Sequence, residues 1–214
     1  MKKGIIFDMD GTLWDSAANV AKAWNIAIEK DGSVEKKLTG ADIQAVMGRT
    51  MDAIADIIFP SLEKEKRMQL LRLCCETENE YLREHGGVLY PNLEQTLTAL
   101  KEDYPLYIVS NCQKGYIEAF LDYYGFWKYF TDIECYGNNL KSKGDNIRLL
   151  ADRNHLEQAV YVGDIQGDYD SSCQAGVGFI HASYGFGTID ADVPKIASIS
   201  ELPQAVREYF YGKE

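Results

Sequence analysis

The stretch that decides the fold is GIIFDMDGTLWDS, which spans residues 4–16. Its first four residues are apolar and include β-branched and aromatic types, a composition typical of a short buried strand in a parallel sheet. Asp8 and Asp10 follow this strand directly, and Gly11 permits the backbone to turn there. Two carboxylates that leave a strand two residues apart can therefore point into one site at the edge of a sheet.

Similar apolar runs recur along the chain and alternate with helical patterns. Predicted strands cover 4–7, 106–109, 159–162 and 177–180, with a weaker one at 132–135, and predicted helices cover 92–101, 116–123 and 145–153. Strand and helix in repeated alternation predict an α/β fold built on a doubly wound parallel sheet.

The segment 16–85 interrupts this alternation because it contains no convincing strand. Its apolar spacing predicts four helices, at 17–30, 41–47, 50–59 and 61–83, the last with Ser61 as its cap. We therefore expect a core domain formed by 1–15 and 86–214, with an all-helical domain formed by 16–85 inserted after the first strand.

Charge and composition limit the classes of partner. The chain has 214 residues and a net charge of −11, which opposes encounter with nucleic acid or an anionic membrane surface. A bound divalent cation and one lysine can reverse the field locally, so a phosphorylated small molecule remains compatible. No apolar stretch has the length of a membrane span, and the N-terminus lacks a signal-peptide pattern, so we expect a cytoplasmic protein. The sequence does not indicate an oligomeric state.

Further polar clusters follow two other predicted strands, 106–109 and 159–162, and precede the helix predicted from residue 145. Ser110 and Asn111 suit the binding of phosphate oxygens, and Asp164 and Asp168 supply the oxygen ligands that Mg²⁺ takes. A lysine from the KSKGD segment, residues 141–145, can neutralise a phosphoryl group in transfer. Each cluster alone has an ordinary explanation as a turn, an acidic loop or a solvated lysine. Their conjunction at strand ends favours a single site.

The segment DMDGTLWDS, residues 8–16, resembles the opening motif of the haloacid dehalogenase superfamily, in its phosphoglycolate-phosphatase-like branch with a helical cap. The resemblance covers essentially the whole chain. It implies that Asp8 is the nucleophile, that Asp10 is the general acid and base, and that Mg²⁺ is the cofactor. The remaining implied roles are phosphate binding by Thr12, Ser110, Asn111 and Lys143, metal binding by Asp8, Asp10 (through its backbone carbonyl), Asp164 and Asp168, and substrate contact from the cap by Arg49.

The identity of the motif lysine stays open at this stage. Lys143 matches the family position best, but the proline that usually follows that lysine is missing, so Lys141 is the alternative.

Three positions of the sequence differ from those of related enzymes in the superfamily, and these differences limit the reactions to be considered. The superfamily's dehalogenases lack a second aspartate where Asp10 stands, its β-phosphoglucomutases carry a histidine where Val20 stands, and its phosphonatases use a lysine where Met51 aligns. The sequence therefore predicts a Mg²⁺-dependent phosphatase acting on a small phosphorylated metabolite through an aspartyl phosphate. A phosphomutase or phosphotransferase, and a catalytically idle binding protein on this scaffold, are the alternatives. The sequence does not select among phosphoglycolate, a sugar phosphate, a nucleotide and pyrophosphate.

Overall fold

A six-stranded parallel sheet forms the centre of the protein in the computed structural model, which describes residues 1–212. The strands are β1 (Lys3–Phe7), β4 (Leu106–Ser110), β5 (Phe130–Cys135), β6 (Gln158–Gly163), β7 (Gly178–Ala182) and β8 (Lys195–Ile196), with a separate antiparallel pair β2 (Trp14–Asp15) and β3 (Val88–Leu89). The order in the large sheet is β5-β4-β1-β6-β7-β8. The prediction of a doubly wound parallel sheet is confirmed.

Ten helices surround the sheet or lie beyond it. They are α1 (Ala17–Asp31), α2 (Gly40–Gln44), α3 (Met51–Ile58), α4 (Lys64–His85), α5 (Leu93–Asp103), α6 (Tyr116–Tyr124), α7 (Tyr136–Asn139), α8 (Lys143–Arg153), α9 (Gln166–Ala175) and α10 (Leu202–Tyr211), all within residues 1–212.

The strand order reverses direction at β1, which lies between β4 and β6. In an open parallel sheet, ligands bind outside the carboxyl ends of the strands at such a switch point. Asp8, the residue after β1, therefore lies at the centre of this edge. The loops that follow β4 and β6 reach the same edge from either side.

Residues 17–85 carry four helices and no strand, as the sequence predicted. The pair β2 and β3 brackets this segment, a feature the sequence analysis missed because each strand has only two residues. Hydrogen bonds tie the segment to the rest of the chain. For example, the Asn79 side chain donates to the Lys114 carbonyl, at 2.9 Å.

Two predicted helix starts were wrong. Helix α4 begins after Glu63 and has no side-chain cap, so Ser61 does not cap it. Helix α8 begins at Lys143, two residues before the predicted start at Asp145, because the Ser142 hydroxyl accepts a hydrogen bond from the Asp145 amide and caps the helix there. This earlier start places Lys143 in the first turn, where it has a fixed direction.

Apolar side chains fill both sides of the sheet. On one side, Trp14 is fully buried and its ring packs edge-on against Tyr116 and Phe120. On the other side, Ile147 of α8 packs with a second cluster that includes Ile6 and Tyr107. The two layers hold β1 from both faces and so fix the start of the Asp8 segment.

No helix in the part of the chain that the structure describes combines the length and the apolar character of a membrane span. The five cysteines are free thiols.

We expect Ile147→Ala to lower the free energy of unfolding by about 2–5 kcal/mol, because it removes fully buried methyl groups and leaves a cavity under the sheet. Ile26 is also helical but is 49% exposed, so Ile26→Ala is the matched control and should change stability by no more than about 0.5 kcal/mol. Urea denaturation measures both. Equal losses in the two variants would contradict the assigned core.

Candidate active site

Three carboxylates and one lysine gather at the carboxyl edge of the sheet. Asp8 follows β1, Asp164 follows β6, and Asp168 lies in the first turn of α9. One carboxylate oxygen from each of the three lies within 4.8 Å of the others, and all three side chains are buried. Side chains that are 160 residues apart in the chain therefore form one cluster, as the strand-end argument predicted.

Lys143 lies inside this cluster. Its Nζ donates to Asp8 Oδ1 at 2.9 Å and to Asp168 Oδ1 at 2.6 Å, and the side chain is almost fully buried. Lys141, the alternative lysine, is exposed on the surface. The geometry thus distinguishes the two lysines, and Lys143 is the one beside Asp8.

Asp168 acts as a connector within the cluster. Its Oδ2 accepts hydrogen bonds from the backbone amides of Asp164 and Ile165, at 3.0 and 3.1 Å, while its Oδ1 accepts from Lys143. Because both of its oxygens are occupied by the protein, Asp168 orients the Asp164 loop and the lysine together.

Burial and like charge raise the pKa values of the clustered acids. The pKa of Asp8 rises to about 7, mainly through burial and then through Asp168, and these effects outweigh the opposing influence of Lys143. The pKa of Asp164 rises to about 8, first through burial and then through Asp168 and Asp8. Burial alone would lower the pKa of Lys143, but Asp168 and Asp8 raise it, so this lysine stays charged. The positive charge of Lys143 thus lies in a cluster of three acidic side chains, Asp8, Asp164 and Asp168.

Asp10 is oriented by two hydroxyl groups. The Ser16 Oγ and the Tyr116 hydroxyl both donate to Asp10 Oδ1, at 2.7 Å each. Burial raises the pKa of Asp10 to about 6, although these two hydrogen bonds lower it in part. A carboxyl group with a pKa near neutrality suits proton transfer in either direction. The sequence analysis did not identify Tyr116, because an aromatic residue on an amphipathic helix is usually a core residue.

Two adjoining cavities meet at Asp10. The first, which we call the catalytic cavity, has a volume of about 490 Å³, and Asp8, Asp10, Asp164 and Phe186 contribute to its walls. The second, which we call the inner cavity, has a volume of about 50 Å³ and extends from Asp10 and Ser110 into the helical segment. Residues 47–49 and Asp10 line both.

The phosphate-binding candidates occupy different positions. Ser110 and Asn111 line the inner cavity, and Asn111 Nδ2 donates to the carbonyl oxygen of Gly48 at 2.9 Å. Thr12 is fully buried and lines neither cavity, and its hydroxyl has no hydrogen-bond partner within residues 1–212. Arg49 is exposed and lies where the two cavities adjoin.

Gly11 has a steric role in the site. Its φ is +81°, a value that favours glycine, and a Cβ there would collide with the carboxylate of Asp164. The glycine of the opening motif therefore allows the β1 loop to approach the β6 loop.

A family model of the haloacid dehalogenase-like hydrolases matches residues 5–182. The chain belongs to this family.

Individual relatives agree with the family match. The phosphoglycolate phosphatase of Shigella boydii is 26% identical over 95% of this chain and 92% of its own length, and that of Salmonella typhimurium is 26% identical over 86% and 82%. Among solved structures, a haloacid dehalogenase-like hydrolase of Bacteroides fragilis matches with a TM-score of 0.80 at 22% identity, over 94% of this chain and 100% of its own. A haloacid dehalogenase-like family protein of Streptococcus pneumoniae matches with a TM-score of 0.76 at 21% identity, over 98% of both chains. The sequence-based prediction of a phosphatase of this superfamily is confirmed.

The raised pKa of Asp164 predicts the pH dependence of stability without bound metal. An acid whose pKa rises from 3.8 unfolded to about 8 folded binds more protons in the folded state, so its contribution to stability is lost as pH rises through this interval. With a chelator present, we expect the free energy of unfolding of the wild type to decrease between pH 5 and pH 8. The decrease should exceed that of Asp164→Asn by on the order of a few kcal/mol. Urea denaturation across this pH range measures the difference. Parallel curves for the two proteins would show that Asp164 is not an uncompensated buried acid.

Proposed function

We propose that the protein hydrolyses small phosphate monoesters through a phosphorylated Asp8, with Mg²⁺ as its cofactor. The observation that carries the proposal is the buried cluster of Asp8, Asp164, Asp168 and Lys143 at the sheet's switch point, beside Asp10. The family match and the phosphatases among the relatives support the same reaction class.

The acidic cluster fits a hard divalent cation. One oxygen from each buried carboxylate lies within 4.8 Å of the others, and burial together with their mutual repulsion raises the pKa values of Asp8 and Asp164. Carboxylate and carbonyl oxygens are the ligands that Mg²⁺ prefers. Asp8, Asp164 and the backbone carbonyl of Asp10 would hold the ion, and Asp168 would position Asp164. When bound, the ion supplies positive charge that stabilises the transferring phosphoryl group.

Four residues have separate roles in the first step, the transfer of the phosphoryl group to Asp8. Asp8 attacks the phosphorus atom and forms the acyl phosphate, while the alcohol leaves with a proton from Asp10. The ammonium group of Lys143 is already held against Asp8, so it meets the phosphoryl oxygens without reorganisation. The Ser110 hydroxyl lies at the wall of the inner cavity, where it can donate to another phosphoryl oxygen.

The second step reverses the role of Asp10. As a carboxylate it takes a proton from the water that attacks the phosphorus of Asp8-phosphate, and Asp8 is regenerated. A pKa of about 6 leaves both protonation states accessible near neutral pH. The hydroxyls of Ser16 and Tyr116 hold the carboxyl group in one orientation through both steps.

The helical segment is the proposed cap. Residues 16–85 supply most of the inner cavity's wall, and residues 47–49 reach the catalytic cavity. We propose that this segment excludes bulk water from Asp8 and that Arg49 contacts the substrate near its phosphate. The rest of the chain, 1–15 and 86–214, forms the proposed core domain.

Replacement of the nucleophile should abolish turnover. Asp8→Asn keeps the shape of the side chain but removes its nucleophilic oxygen, so we expect kcat for an aryl phosphate to fall at least about a thousandfold. The matched control is Asp190→Asn, which removes a carboxylate that is exposed, and it should leave kcat unchanged. Release of inorganic phosphate is the measurement. Equal activity in wild type and Asp8→Asn would refute the assignment, and transfer of phosphate without its release would favour a mutase.

Metal binding has a readout that does not require turnover. We expect Mg²⁺ to raise the thermal midpoint of the wild type more at pH 8 than at pH 6, because the acids that hold it titrate at about 7 and about 8. Asp164→Asn should lose this shift, and Asp190→Asn should keep it. A shift that is the same in all three proteins would place the ion elsewhere.

A further inference from the structure

The inner cavity contains a buried acid that the proposed mechanism does not use. Glu78 lies on α4 and is only 3% exposed, and it lines the inner cavity together with Asp10. The Trp24 indole N–H donates a hydrogen bond to one oxygen of its carboxylate. Because Asp10 protonates the leaving alcohol in the proposed mechanism and lines both cavities, the leaving group can extend into the inner cavity, towards Glu78.

Glu78 has no cationic partner. No lysine, arginine or histidine nitrogen lies within 4.0 Å of its carboxylate in the described chain, whereas Glu134, another buried acid, is paired with Arg153. Burial raises the pKa of Glu78 to about 7, although the hydrogen bonds from Trp24 and Gln113 lower it in part. The charged form of a buried carboxylate without a cation is costly, so above pH 7 a cationic ligand in the adjoining cavity would compensate it.

A second acceptor in the same cavity lacks a donor. Gln113 is 8% exposed, and its Oε1 is buried without a hydrogen-bond partner within residues 1–212. The orientation of its amide is set by its neighbours. Asn79 Nδ2 donates to the Lys114 carbonyl, so Asn79 Oδ1 must accept, and Gln113 Nε2 donates to it at 3.0 Å. The oxygen of Gln113 is therefore the atom left without a partner.

Asn111 repeats this arrangement. The Nδ2 of Asn111 donates to the Gly48 carbonyl, and a carbonyl can only accept. The Oδ1 of Asn111 is therefore the atom that is buried without a partner within residues 1–212. Glu78 thus lines the inner cavity without a cation, and two other lining residues, Asn111 and Gln113, each have an amide oxygen buried in the wall without a donor. The other walls of the inner cavity are mainly apolar, contributed by Val20, Trp24, Ile43, Val46, Met47, Met51 and Ile54.

The residues that line the inner cavity favour a leaving group that carries a positive charge. A primary ammonium group has N–H donors and a positive charge, which match the carboxylate of Glu78 that has no cationic partner. A carboxylate on the leaving group would instead be a second buried anion beside Glu78 and Asp10. Arg49, the cation that lines both cavities, is exposed and adjoins the catalytic cavity.

We propose that the inner cavity selects phosphate monoesters of small amino alcohols, with Glu78 as the specificity-determining residue that binds their ammonium group. This inference rests on the proposed phosphatase function and names the substrate class of that site. It departs from the substrate in the names of the relatives, whose leaving group, glycolate, is an anion.

Three esters of nearly equal size test the inference: phosphoethanolamine, ethylene glycol monophosphate and phosphoglycolate, whose leaving groups are cationic, neutral and anionic. We expect kcat/KM of the wild type above pH 7 to decrease in that order, with at least about a 10-fold difference between the first and the last. In Glu78→Gln, the ratio between these two esters should shrink at least about 10-fold. The matched control is Glu80→Gln on the exposed face of the same helix, which removes the same charge and should keep the wild-type ratio.

The outcomes separate the two proposals. Turnover of an aryl phosphate together with equal or better hydrolysis of phosphoglycolate would overturn the inference and leave the phosphatase proposal standing. An unchanged ratio in Glu78→Gln would also overturn it. Lack of turnover of every ester would overturn the phosphatase proposal and the inference with it. Calorimetric binding of the three esters to Asp8→Asn should follow the same order as turnover, and this keeps the inference testable if Glu78→Gln does not fold.

Discussion

The buried contact of Lys143 with Asp8 and Asp168 is the interaction on which the rest of the site depends. A lysine taken out of water requires anions at hydrogen-bond distance, and both carboxylates provide them, at 2.9 and 2.6 Å. Through Asp168 the contact also reaches the backbone amides after β6. It therefore joins β1, α8 and the β6–α9 loop, and loss of the lysine would leave two carboxylates uncompensated in one buried place.

The same cluster holds more negative charge than Lys143 neutralises. Burial first, and then that excess of negative charge, raise the pKa values of Asp8 and Asp164 to about 7 and about 8. The excess also explains how a chain with a net charge of −11 can receive a phosphate ester, because the missing positive charge is supplied by a divalent ion at the binding site itself. The inner cavity shows the same physical condition at Glu78, where the missing partner is part of the proposed substrate.

Local sequence patterns predicted the sheet and the residues at its edge well. The apolar runs before Asp8 and Asp164 have the length of buried strands. Because parallel strands end at the same edge of a sheet, the side chains that follow them were expected to lie close together. The choice between Lys141 and Lys143 needed the structure, because it depends on where α8 begins. Glu78 and Tyr116 were missed for a different reason. Each lies on an amphipathic helix, and their roles depend on contacts with distant parts of the chain that no local pattern shows.

The most direct test of the central claim is to trap the phosphorylated enzyme. Rapid quenching during turnover, reduction of the acyl phosphate with borohydride and peptide mapping would identify the modified residue. The account predicts that Asp8, and no other carboxylate, is converted to homoserine. Phosphate release without modification of Asp8, or modification of Asp10 or Asp164 in its place, would contradict it.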